Sequence, residues 1–91
     1  MYLHLGRDVV VRDEDVVAVL DMDTSTWSRH TRAWLSSAEQ AGLVEVITDE
    51  LPKSVILCRE NGHPVVYISQ ISSKTILKRA EEASDDWSIP G

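Results

Sequence analysis

The sequence predicts an α+β fold, in which a mostly antiparallel sheet carries a middle helix and a C-terminal helix. Short Val- and Ile-rich runs between turn residues are typical of strands. Two further segments repeat apolar residues at helical spacing and follow residues that cap helices. With 91 residues, a single domain with one modest core is expected over 1–91. The polar stretch at 84–91 is expected to be a flexible tail.

Three apolar runs at the start of the chain are predicted to form a three-stranded meander. They are short and rich in β-branched residues, which favours strand over helix. The runs span residues 2–5, 9–11 and 16–22. We interpret the acids at 13–15, together with Asp21 and Asp23, as solvated loop residues, because a metal site would need further ligands.

The first helix is predicted over residues 26–41. Residues 23–25 offer N-cap side chains, and Gly42 suits the position just beyond the helix end. Arg29 and Arg32 lie three residues apart on one face, which is either a solvated surface or a surface that contacts phosphates. A separate apolar stripe consists of Trp27, Trp34, Leu35, Ala38 and Ala41.

A strand is predicted at 43–48, and a β-hairpin follows it. Asn61 and Gly62 separate two β-branched runs, and this dipeptide tolerates the positive φ angles of a tight type I′ turn. Pro64 lies at the start of the return strand, where a missing N–H group is tolerated.

The second helix is predicted over 73–83, with Ser72 as its N-cap. Ile71 and Ile76 have the spacing of a hydrophobic staple around that cap. Trp87 stands out in the polar tail. Two interpretations of Trp87 stay open: its ring folds back onto the core, or it docks onto a neighbouring subunit.

Composition and charge narrow the classes of function. The net charge of −6 opposes global attraction to nucleic acid, although the acids are clustered and leave room for a local basic face. Cys58 is the single cysteine, so no internal disulfide can form, as in cytoplasmic proteins, and a buried thiol is expected. No apolar run approaches the roughly 20 residues of a membrane span. The N-terminus does not have the pattern of a signal peptide.

The sequence contains no visible catalytic constellation. It has no Gly-rich phosphate loop, no G-x-S-x-G and no C-x-x-C pattern, and the histidines His4, His30 and His63 are scattered. An enzyme of this size would need at least a nucleophile–base pair or a set of metal ligands. We therefore expect a small interaction module that is not an enzyme and uses neither a cofactor nor a metal.

Three segments together resemble the RemA/RemB family of bacterial regulators of the biofilm extracellular matrix. The segments are MYLHLGRDVVVRDEDVVAVLD, LPKSVIL and YISQISSKTILKRA. They follow the family's order along essentially the whole chain, and the middle helix matches least. The resemblance implies a cytoplasmic regulator with a compact fold similar to LytTR-type DNA-binding domains. It also implies assembly into a ring that engages DNA through basic residues.

The resemblance carries over to individual residues only in part. In the RemA branch an arginine lies just before the strand corresponding to 16–20, and this chain has Asp15 there. Two adjacent arginines precede the hairpin in that branch, and this chain has Glu50 and Leu51. Lys53 keeps a base near the same loop.

Two hypotheses of function follow. The first is a homo-oligomeric, DNA-binding regulator of transcription of matrix genes. Its candidate DNA contacts are Lys53, from the family match, and the further local bases Arg12, Arg29 and Arg32. The second is an oligomeric adaptor that binds a protein partner, such as a sister regulator, without contacting DNA. A continuous basic rim on the oligomer would favour the first hypothesis, and an acidic rim would favour the second.

Overall fold

The computed structural model describes residues 2–23 and 27–88, with side chains described through residue 82. Its elements in chain order are β1 (Tyr2–Gly6), β2 (Val9–Arg12), a 3-10 turn (Asp13–Asp15), β3 (Val16–Asp21), α1 (Arg29–Gln40), β4 (Val44–Val46), β5 (Ser54–Glu60), β6 (His63–Ser69) and α2 (Ser73–Ser88). These elements form three layers. A four-stranded sheet has α1 on one face, and the β1–β2 hairpin with α2 on the other.

The order of the strands differs from the predicted meander. β3 pairs antiparallel with β5, and the sheet has the order β3-β5-β6-β4. β1 and β2 pair with each other as a separate two-stranded sheet. The prediction of a three-stranded meander was therefore wrong, although its three strands exist. The acidic turn Asp13–Asp15 leads the chain out of the hairpin into the larger sheet, and an apolar run does not itself specify its pairing partner.

One parallel pair makes the larger sheet mixed. β4 runs parallel to β6, with Val44 opposite Val66 and Val46 opposite Ile68. The β3–β5 and β5–β6 pairs are antiparallel. The α+β class and the two helices are thus confirmed, and the sheet is mostly antiparallel as predicted.

The central strands of the sheet are buried on both faces. Every residue of β5 from Ser54 to Cys58 is buried, and successive side chains of a strand point to opposite faces. Val55 and Leu57 accordingly pack on the side of α1, whereas Ile56 and Cys58 pack on the side of the hairpin and α2. Two separate apolar clusters therefore share the same strands.

α1 covers the first face through the predicted apolar stripe. Ala38 is fully buried against the β5 and β6 side chains Val55, Leu57 and Val66. The larger side chains of the stripe surround this contact and are partly buried; they are Trp27, Trp34 and Leu35. Ala41 is exposed, because the helix has ended at Gln40.

The second face is covered by the N-terminal hairpin and α2. Alternate residues of the hairpin point towards the sheet, and Ile76 of α2 is buried beside them. The inward hairpin residues are Leu3, Leu5 and Val11. Arg79 of α2 also donates a hydrogen bond of 2.9 Å to the carbonyl of His4. The hairpin and α2 therefore contact each other as well as the sheet.

α1 begins later than predicted. Ser28 is its N-cap, and the Ser28 hydroxyl accepts a hydrogen bond of 3.2 Å from the Thr31 N–H group. The helix spans Arg29–Gln40. Asp23 lies outside the helix, and residues 24–26 lie outside the described residues. The predicted helix start at residue 26 and its cap at 23–25 were therefore wrong, because the helix is capped by Ser28.

Trp27 precedes α1 instead of belonging to it. Its indole N–H group donates a hydrogen bond of 3.0 Å to the carbonyl of Asp21, at the end of β3. The ring still packs beneath the helix, as the predicted stripe requires. At the other end, Gly42 has φ +72°, which confirms its predicted place beyond the helix.

The predicted hairpin turn is confirmed. Asn61 has φ +53° and Gly62 has φ +81°. The two strands pair from Ser54 opposite Ser69 to Glu60 opposite His63. A short loop therefore joins two full-length antiparallel strands.

The predicted cap of α2 is also confirmed. The Ser72 hydroxyl accepts a hydrogen bond of 3.2 Å from the Thr75 N–H group. The helix then spans Ser73–Ser88 and ends later than the predicted residue 83, because no Gly or Pro interrupts it. The side chain of Trp87 lies outside the described residues, and both interpretations of it stay predictions.

Two buried serines join the sheet to the layer above it. The Ser69 hydroxyl donates a hydrogen bond of 2.5 Å to the Leu5 carbonyl and accepts one of 3.0 Å from the Ile71 N–H group. The Ser54 hydroxyl donates one of 2.7 Å to the Ile71 carbonyl. Both serines are completely buried, so these partners replace water. The pair holds together β1, the β5–β6 hairpin and the approach to α2.

The hairpin turn gives the first testable prediction. Gly62→Val should lower the free energy of unfolding by roughly 1–2 kcal/mol, because a β-branched residue resists left-handed backbone. Among the described residues other than Asn61 and His63, none has an atom within 4 Å of a Cβ placed at Gly62, so the cost is conformational. Gly62→Asn is the matched control and should cost less, since Asn tolerates this conformation. Urea denaturation measures both, and a Val variant as stable as the parent would contradict the turn.

The buried serines give the second prediction. Ser69→Ala should lower the free energy of unfolding by about 1–3 kcal/mol, because the Leu5 carbonyl and the Ile71 N–H group both lose their partner. Ser36→Ala, at an exposed position of α1, is the matched control. It should change stability by less than about 0.5 kcal/mol. Equal unfolding midpoints for the two variants would exclude the bridging role of Ser69.

Candidate nucleic-acid interface

The four candidate bases lie on separate parts of the protomer. Arg12 ends β2, Lys53 directly precedes β5, and the two remaining arginines belong to α1. Asp21 pairs with the first residue of β5, next to Lys53, whereas Val16, which follows the turn after Arg12, pairs with Cys58. Ser54 and Cys58 are four steps apart along β5, roughly 13 Å at about 3.3 Å per residue. One protomer therefore does not unite the candidates into a single patch.

Arg12 is compensated by acids of its own turn. Its Nη1 atom lies 3.1 Å from Oε1 of Glu14. Its Nη2 and Nε atoms contact the two carboxylate oxygens of Asp15 at 3.1 and 3.2 Å. The hydrogen bond to Asp15, and then the charges of Asp15 and Glu14, raise the pKa of Arg12. Its positive charge is therefore compensated by neighbouring carboxylates.

Lys53 combines a fixed backbone with an exposed side chain. Its N–H group donates a hydrogen bond of 2.8 Å to the carbonyl of Ser69, at the end of β6. Among the described residues its ammonium group has no ion pair, and the residue is exposed. Lys74, which is also exposed, lies in the first turn of α2. It comes three residues after Ile71, whose carbonyl accepts a hydrogen bond from Ser54, the neighbour of Lys53. Two lysines thus stand near one end of the sheet.

The loop before Lys53 carries the residues that depart from the RemA branch. Glu50 and Leu51 are both exposed, and Leu51 retains 81% of its accessible surface. The Thr48 hydroxyl accepts a hydrogen bond of 2.9 Å from the Glu50 N–H group. It donates one of 2.5 Å to the side-chain oxygen of Gln70. The loop is therefore anchored to the segment after β6, while its acidic and apolar side chains face solvent.

Arg29 and Arg32 are exposed residues in the first turns of α1. The helix packs on the sheet face opposite the β1–β2 hairpin. These two arginines consequently lie on a different layer from Arg12. Their shared helical face agrees with the predicted spacing, and their role in binding stays a prediction.

Sequence reasoning missed three arginines that make specific contacts. Arg59 lies with its guanidinium carbon 4.7 Å from the ring centroid of Trp34. Arg79 contacts the His4 carbonyl, and Arg7 forms an ion pair with Asp49. Strand alternation would have found Arg59, because Val55, Leu57 and Arg59 share the face of β5 that meets α1.

Other potential sites are limited by burial or by composition. Burial is the main cause that raises the pKa of Cys58 to about 12, and nearby carboxylates add to it. The thiol is completely buried, which confirms its predicted role as a small core residue. Within residues 2–23 and 27–82, no group of three or more His, Cys, Asp or Glu side chains is placed to hold a metal. Neither described helix is long and apolar enough to cross a bilayer.

The fold is that of a small α+β protein with two helices and a mixed sheet. The chain matches the family model described as RemA-like, extracellular matrix regulatory protein A-like, over residues 2–80. It is 32% identical over 81 residues to extracellular matrix regulatory protein B of Bacillus subtilis strain 168. That alignment covers 89% of this chain and 91% of the relative.

The chain belongs to the RemA-like family of extracellular matrix regulatory proteins. The resemblance found in the three sequence segments is thereby confirmed. Both names describe regulatory proteins rather than enzymes.

Proposed function

We propose that the protein is a cytoplasmic regulator of the transcription of extracellular matrix genes, that it acts as a homo-oligomeric ring, and that it binds DNA. Its family membership supports the regulatory role. The observation that carries DNA contact is Lys53, an exposed base whose backbone is hydrogen-bonded to β6. A fixed backbone beneath a flexible cation suits contact with phosphates, which positions a protein on DNA without reading its sequence.

Assembly is part of this proposal because one protomer has widely separated bases. The segment 49–53 is called the Lys53 loop. Its repetition around a ring would supply many phosphate contacts at regular intervals. Each contact adds to affinity and to its dependence on salt. We further propose that the fold belongs with LytTR-like DNA-binding domains, as the family resemblance implies.

A second candidate function is an oligomeric adaptor that binds a protein partner, such as a sister regulator, without contacting DNA. The pairing of Arg12 with Glu14 and Asp15 favours it, because the base at that end of the sheet is compensated. The exposed Leu51 beside Glu50 favours it too, since an apolar side chain suits a protein interface better than a phosphate backbone.

DNA binding is tested by reversing charges in the Lys53 loop. Lys53→Glu should weaken binding to every duplex tested, as expected of a phosphate contact. Glu50→Arg should strengthen binding. Wild-type affinity should fall steeply between two salt concentrations, because phosphate contacts release counterions. Gel shifts with a matrix-gene promoter and an unrelated duplex measure these changes.

Lys78→Glu is the matched control for the charge reversal. It makes the same change in net charge at an exposed position of α2, one turn beyond Lys74 and on a different element from the loop. It should weaken binding much less than Lys53→Glu. If wild type gives no shift at low salt and Glu50→Arg gains none, DNA binding is excluded and the adaptor function takes its place.

Self-association is tested by light scattering on the purified chain. The measured mass should be several times the 10.2 kDa of one protomer. Two large apolar residues on the outer face of the β1–β2 hairpin support this expectation: Tyr2 and Val10 are 69% and 51% exposed. A mass of one protomer at tens of micromolar would contradict the oligomer.

A further inference from the structure

A pocket lies between α1 and the turn end of the β5–β6 hairpin. Its volume is about 480 Å³, within the range of roughly 300–1,000 Å³ that is usual for small-ligand sites. Four of its residues recur at positions i, i+3, i+4 and i+7 of α1, so one face of the helix forms one wall. The lining residues are His30, Ala33, Trp34, Ser37, Arg59 and Pro64.

The opposite wall comes from a single cross-strand pair. Arg59 of β5 stands opposite Pro64 of β6, next to the Asn61–Gly62 turn. The guanidinium carbon of Arg59 lies over the ring of Trp34, 4.7 Å from its centroid. This contact holds a charged group above an aromatic floor, and the N–H groups at its edge stay available to an acceptor.

The charge of the pocket is opposite to that of the chain. Its polar lining consists of a guanidinium, an imidazole and a hydroxyl, and none of the described carboxylates lines it. The whole chain nevertheless carries a net charge of −6. The remaining lining is apolar, from Ala33, Trp34 and Pro64. A site with these walls suits a ligand that has one anionic end and one flat apolar end.

We infer that this pocket binds a small ligand in which a planar ring carries an oxyanion. Arg59 pairs with the oxyanion, and the Ser37 hydroxyl and the His30 ring are further donors for it. The ligand's ring packs against Pro64 and Ala33. Phosphate and carboxylate share this chemistry, so both mononucleotides and aromatic carboxylates belong to the class. The inference does not depend on whether the protein binds DNA.

A small molecule fits this site better than a phosphate of a DNA backbone. Phosphates of a DNA backbone are contacted by cations that project from a protein surface. Lys53 is exposed in this way. Arg59 instead lies over an aromatic ring, in an open pocket between a helix and a hairpin turn. A discrete ligand can enter such a pocket and bury its ring there.

The inference is tested by NMR titration of the isotope-labelled chain with four probes. These are adenosine monophosphate, benzoate, adenosine and inorganic phosphate. The backbone amides of His30, Ala33, Ser37 and Arg59 and the indole signal of Trp34 should shift with a ring that carries an anion. Comparison of the first two probes separates a phosphate from a carboxylate ligand. Adenosine and phosphate alone should bind at least roughly tenfold more weakly, because each provides only half of the interactions.

Three variants locate the binding. Arg59→Gln removes the charge and keeps the first part of the side chain with a polar end, and it should weaken the better ring–anion probe by roughly tenfold or more. Ala33→Leu fills the pocket from an exposed helix position without changing charge, and it should also weaken binding. Lys78→Gln is the matched control for the lost charge, and it should bind like wild type.

Several results would overturn the inference. One is the absence of shifts in these residues with both ring–anion probes at millimolar concentration. Another is equal affinity of wild type and Arg59→Gln. A third is a response of the same residues to duplex DNA but to neither small ring–anion probe, which would assign Arg59 to a DNA contact. Circular dichroism of each variant shows whether a lost response reflects lost folding.

Discussion

Burial of the β5–β6 hairpin on both faces is the constraint on which the rest of the structure depends. Apolar side chains of these strands alternate between two clusters, so neither face can be left to water. α1 must cover one face, and the N-terminal hairpin with α2 must cover the other. The buried hydroxyls of Ser54 and Ser69 then fix the second layer, because each bonds a backbone group outside its own strand. A 91-residue chain thereby obtains two apolar clusters from one pair of strands.

Features decided by neighbouring residues could be predicted from the sequence. The Asn61–Gly62 turn, the Ser72 cap and the glycine after α1 each depend on local backbone geometry, and each occurs as expected. Strand partners are decided by the whole fold, and the meander prediction failed for that reason. The start of α1 was also predicted too early. Ser28 caps the helix, and Trp27 lies before it with its indole N–H group bonded to the Asp21 carbonyl.

The candidate interface could be predicted only as a set of residue types. Sequence identifies exposed bases, but it does not tell which of them an acid compensates. Arg12 forms an ion pair with Asp15, three residues along the chain. Arg59 instead stacks on Trp34, which belongs to α1 and is distant in sequence. The family match indicates that the protein is regulatory, and the structure gives the contacts of the individual arginines.

The two outer strands of the larger sheet restrict how copies of this chain can meet. β4 contains only three residues, and β3 has an irregular register between Val16 and Ala18. Short or bulged outer strands offer few backbone groups to an incoming strand and discourage continuous sheets between molecules. Any association between copies would therefore rest on side-chain surfaces instead of on a shared backbone ladder. Contacts of that kind do not grow strand by strand, as a cross-β fibril does.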